Sequence, residues 1–86
     1  GRGFYGAVWN NLGVCYARQF LFRKAANCFE TAYEYQPDEE IREEAELAWQ
    51  LAKGILPGTG EKRQVPADPQ KVLLKWEREY RVRQKQ

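Results

Sequence analysis

The chain contains no histidine and no methionine in 86 residues. Histidine is the side chain most often used as a general base and as a metal ligand, so its absence removes the usual centre of acid–base and zinc chemistry. Cysteine is scarce. Cys15 and Cys28 fall in different helical stretches with no CxxC spacing, and they cannot complete a metal site alone. They read as free thiols, buried or half-buried, which suits a reducing cytoplasm. No stretch approaches the roughly 18 apolar residues of a membrane span, and no signal-peptide core is visible. Gly58-Thr59-Gly60 has neither the Lys-Ser/Thr pair nor the preceding strand of a phosphate loop. The glutamates from Glu39 to Glu46 read as a solvated helix face rather than a cation site. These absences point to a chain that is not an enzyme and needs no cofactor.

What remains fits a single helical domain. Hydrophobic residues make up 43% of the chain and mean hydropathy is -0.78. The net charge of +2 is unevenly placed. Residues 1–60 carry 6 basic and 8 acidic side chains, and residues 61–86 carry 8 basic and 4 acidic. The acids bunch between Asp38 and Glu46 and the bases after Lys71, so the two segments can attract each other or the tail can meet an acidic partner. With Gly-Arg-Gly at its start and no Met, the sequence is expected to be a piece of a longer protein or a trimmed product.

Apolar spacing predicts a first helix over about Tyr5–Gln19, with Val8, Trp9, Leu12, Cys15 and Tyr16 on one stripe. Gly13 sits beside that stripe and costs nearly 1 kcal/mol against alanine mid-helix, unless it admits a close neighbour. Ala25 is the expected neighbour. A second helix is predicted over about Phe22–Tyr35, with Phe22, Ala25, Phe29 and Ala32 on one face, and Pro37 ends it. Asp38, Glu39 and Glu40 suit the start of a third helix, running to about Ile55. Its acidic face, Glu39, Glu43 and Glu46 with Glu40 and Glu44, is expected to face water. Residues 57–68, with two Pro and two Gly, read as a flexible linker. Asp68-Pro69 then starts a basic amphipathic helix over 69–86, with Val72, Leu73, Trp76 and Tyr80 on its apolar side.

The first hairpin carries a denser pattern. Trp9, Leu12, Gly13 and Tyr16 are followed by Ala25, Phe29, Ala32 and Pro37. A chance match to all eight is on the order of one in a hundred million. Residues 6–39 resemble the tetratricopeptide repeat, a helix–turn–helix unit of about 34 residues. Leu47, Ala48 and Leu51 weakly echo Leu12, Gly13 and Tyr16, but Glu44 stands where the tryptophan would be. The third helix therefore reads as the cap that closes a repeat array. The expected fold is all-α: hairpin and capping helix over 1–56, linker over 57–68, amphipathic helix over 69–86.

Several expectations follow from the resemblance. The chain would be a non-catalytic protein–protein interaction module, the end of a scaffold that binds a peptide or a helix. Its binding face would present Asn10, Val14, Ala17 and Arg18, with Asn11 nearby. Asn11 matches a position used by family members that hold a C-terminal carboxylate, although the cationic partners of that clamp come from flanking repeats. A single repeat leaves the first helix uncovered. Upstream repeats, a second copy of the chain forming a homodimer, or the C-terminal helix would cover it. Where repeats of this kind usually turn through Gly and Asp or Asn, this chain has Phe20 and Leu21. Phe20 either covers the hairpin end or contacts something outside the repeat. A nucleic-acid-contacting basic tail is the further alternative, weakened by its four acids and by aromatics that fall on the apolar stripe.

Overall fold

The computed structural model describes residues 1–55 and 68–84. The expected linker at 57–68 lies outside the described residues, apart from Asp68. Four helices follow in order: α1 (Arg2–Arg18), α2 (Phe22–Tyr35), α3 (Glu39–Ala52) and α4 (Pro69–Gln84). No strand occurs among the described residues, so the all-α expectation holds. α1 starts about one turn earlier than its stripe predicted. α3 is shorter, ending at a Schellman turn through Gly54 at φ 79°.

α1 and α2 form an antiparallel hairpin. At its open end the Arg2 guanidinium donates to the Glu34 carbonyl (3.0 Å) and Tyr5 lies 5.5 Å from Tyr35. Midway, Gly13 faces the ring of Phe29. A Cβ at Gly13 would stand 2.6 Å from Phe29 Cε1, so the ring itself, rather than Ala25, is the close neighbour that the glycine admits. Phe29 is 0% exposed, and its full burial contributes about 1.5–3 kcal/mol. Ala25, Ala26 and Ala32 are buried too. α3 packs on α2. It begins with Asp38 accepting from the Glu40 N–H (2.8 Å), which satisfies one of the helix's orphan donors.

α4 opens as its sequence predicts, with the Lys71 N–H donating to Asp68 Oδ1 (3.2 Å). It lies across α1 and α3 on the inner side of the hairpin. Trp76 stacks on Phe29 with centroids 5.5 Å apart and planes 6° from parallel. Lys75 reaches Glu40 and Glu44 near the start of α3, while Tyr80 lies under Arg18 at the end of α1. α4 therefore runs in the same direction as α1 and α3. The end of α3 and the start of α4 lie roughly 20 Å apart along the bundle, the length of α3.

Candidate functional site

The inner face of the hairpin is the candidate site, and it is built from α1, α2 and α3. α1 brings Asn10, Val14, Ala17 and Arg18 to this face at helical spacing. Val14 is 0% exposed and Ala17 is 3% exposed, and both join the core with Val72 and Trp76 of α4. Arg18 is exposed and holds its guanidinium 5.7 Å from the Tyr80 ring centre. Asn10 is half-buried and faces α3, whereas Asn11 is exposed. The five predicted residues thus divide: four gather around α4 or its polar anchor, and Asn11 lies to the side. Of the three candidate covers for the first helix, α4 of the same chain occupies this face.

Glu44 is the residue of this face whose place differs from the sequence expectation. It was expected on the solvated acidic face, and it is 0% exposed. Its Oε1 accepts from Lys75 Nζ (2.6 Å) and Asn10 Nδ2 (3.1 Å), and its Oε2 accepts from Trp76 Nε1 (2.8 Å). Three donors from two helices converge on one carboxylate, so a charge that would be costly alone is paired and hydrogen-bonded. The physical reason for the misreading is that α3 turns one glutamate inward among four that face out. Glu39, Glu40, Glu43 and Glu46 are exposed or half-buried as expected. The available signal was the Leu47-Ala48-Leu51 echo, which put Glu44 at the inward position of a tryptophan. That place is filled by Trp76 arriving from α4 with the carboxylate as its acceptor.

Burial pushes the Glu44 carboxyl above the usual carboxylate range; the Lys75 charge and the bonds from Lys75, Trp76 and Asn10 counter only part of this. Lys75 is also drawn out of water, which alone would lower its pKa. The charges of Glu44, Glu79 and Glu40 outweigh that and hold its ammonium above the ordinary lysine range. Glu79 is 4.0 Å away and Glu40 3.6 Å, so the ammonium sits among three carboxylates. A shallow cleft at this edge is lined by Glu40, Glu43, Lys71 and Arg78 around the pair.

Nothing in this arrangement sets a nucleophile beside a base, since each donor on Glu44 serves packing between helices. No group of three metal-ligating side chains occurs among the described residues. Cys28 is buried, which pushes its thiol up, and Cys15 is half-buried; both are free. Trp76 is 2% exposed and Tyr80 is half-buried under Arg18, so both α4 aromatics are engaged in packing rather than displayed.

Among known proteins, no curated protein and no solved structure matches the chain. A family model does match, over the hairpin and the approach to α3. Residues 6–39 fit the model described as the tetratricopeptide repeat, and that segment of the chain is one such repeat.

Proposed function

We propose that the chain is a non-catalytic protein-interaction module whose inner repeat face receives a helix or an extended peptide from a protein partner. Tetratricopeptide repeats as a family mediate protein–protein interaction. The observation that carries the reading here is that this face already holds a helix. α4 seats Val72 and Trp76 against Val14, Ala17 and Phe29 and anchors them through Glu44. The face is the shape and chemistry of a helix receptor: apolar in the middle, one buried acceptor, and Arg18 at the rim. Asn10, Val14, Ala17 and Arg18 are the residues an outside segment would meet once α4 gives way, with Asn11 at the side of that face. A labelled peptide spanning residues 68–84 tests this. It should bind the Trp76→Ala variant of the chain at least tenfold more tightly than the wild type, whose own α4 fills the face. Equal binding to both, or none to the variant, refutes the reading.

Self-association is the second reading, favoured by the same contact. Whatever α4 does in its own chain it can do across two copies, each supplying α4 to the other. Sedimentation velocity over a range of concentrations separates the cases. A dimer that Trp76→Ala dissociates supports exchange, and a strict monomer at high concentration excludes it.

A further inference from the structure

The turn between α1 and α2 has a feature that the inner face does not explain. α1 ends in a Schellman motif: the Leu21 N–H donates to the Tyr16 carbonyl and the Phe20 N–H to the Ala17 carbonyl, each at 3.0 Å. α3 ends with the same two bonds, Ile55 to Gln50 (2.9 Å) and Gly54 to Leu51 (3.0 Å). The turning residue has positive φ in both, 79° at Gly54 and 63° at Phe20. Glycine enters this region without penalty, and a residue with a Cβ does not. The same chain thus uses glycine at one such turn and a strained phenylalanine at the other.

Phe20 returns little to the fold for that strain. It is 77% exposed, and its ring meets Phe22 edge-on at 6.0 Å. Leu21 beside it is 42% exposed. A depression of about 420 Å³ opens between Phe20, Leu21 and Phe22 on one side and Leu51 and Ala52 of α3 on the other. The charged residues that line it are Arg23 and Lys24. Residues 15–29 and 47–55 include Arg18, Arg23, Lys24 and Lys53 and no acid. Arg18 and Lys24 lie over tyrosine rings, and neither Arg23 nor Lys53 has an ion-pair partner among the described residues.

We infer that this end of the bundle is a second docking surface, for an acidic peptide segment of another protein that carries a leucine or aromatic anchor. The anchor enters the depression against Phe20 and Leu51, and flanking carboxylates meet Arg23 and Lys53. A peptide is favoured over a nucleic acid by the depression's walls. They combine Leu21, Leu51 and Ala52 with the Phe20 and Phe22 rings, which meet edge-on at 71° and so give a hollow for one side chain rather than successive parallel platforms for bases. The surface lies apart from the face under α4, so it stands or falls separately from the function proposed above.

The test uses the Phe20→Gly variant of the full chain, because glycine suits the turn. Its melting temperature should be unchanged or a few degrees higher, so lost binding is not lost folding. A random peptide library is displayed on phage, selected on the wild-type chain and counter-selected on Phe20→Gly. The expected survivors carry Asp or Glu around a Leu, Phe or Trp. Made as free peptides, they should bind Phe20→Gly about tenfold or more weakly, as loss of an interface anchor requires. They should also weaken on Arg23→Glu and with added salt. The inference is overturned if no peptide survives counter-selection, or if survivors are neutral or basic. It is equally overturned if single-stranded oligonucleotides, and not peptides, bind in a Phe20-dependent way.

Discussion

Gly13 shows how one absent side chain positions the whole inner face. It lets the Phe29 ring sit against the α1 backbone, and a face of that ring stacks on Trp76. In an exposed helix, Gly13→Ala would stabilise by about 1 kcal/mol through helix propensity. Here the new Cβ would stand 2.6 Å from a fully buried ring that is also stacked on Trp76, so making room for it disturbs the core. Overpacking of this kind costs about 1–3 kcal/mol. Gly13→Ala is therefore expected to lower stability by about 1 kcal/mol net, measured by urea unfolding, and to loosen α4. Phe20 runs the other way. Relief of its positive φ should make Phe20→Gly more stable by about 0.5–1 kcal/mol in the same measurement. Gly13 was legible in the sequence as a place of close approach, but its neighbour was not. Alanine and phenylalanine both lie on the facing stripe of α2, and only the crossing of the two helices decides between Ala25 and Phe29.

α4 is held by one buried ion pair set in an apolar contact. A buried pair of this kind adds little over an apolar replacement, but half of one is costly. Lys75→Met would leave the Glu44 carboxylate 0% exposed with no cation, and should destabilise the chain by about 3–5 kcal/mol. Glu44→Leu together with Lys75→Met removes both charges. It should recover most of that loss, short of about 1–3 kcal/mol for the Trp76 indole N–H left without its acceptor. Urea unfolding of the two variants gives the comparison, and a double variant no better than Lys75→Met would show that the pair itself stabilises. The start of α4 was plain from Asp68-Pro69, and its apolar stripe was plain from spacing. Its seat was not, because periodicity identifies a face to be buried without identifying what buries it. Glu44 shows the same gap: five glutamates within eight positions read alike until the direction of α3 singles one out.

Over the whole molecule, Glu44 and Lys75 each contribute a step in which stability falls as pH rises. The buried Cys28 thiol acts in the same direction, and Glu39, whose carboxyl the Arg42 hydrogen bond holds down, acts in the opposite one. The Glu44 carboxyl titrates higher in the folded chain than in the unfolded one. Its contribution is complete in acid, below the ordinary carboxylate range, and declines as pH climbs through the raised folded value. Lys75 is also raised, so its contribution is complete up to the ordinary lysine range, about 10.4, and is lost above it. The groups facing it are Glu40 and Glu44 from α3 and Glu79 from α4 itself. The Trp76 indole N–H resonance should report both steps, and Lys75→Met should abolish the alkaline one. None of the described helices is long and apolar enough to cross a membrane. Phe4, Tyr5, Val8 and Leu12 leave an exposed apolar stripe along α1. The covalent link between α4 and the face it covers sets a threshold. Segments tethered to their own receptor meet it at an effective concentration on the order of millimolar. An outside helix therefore competes with an occupant that never dilutes. A ligand with the same intrinsic affinity as α4 would remain unbound at micromolar levels, so the face would discriminate among partners by strength before it discriminated by shape.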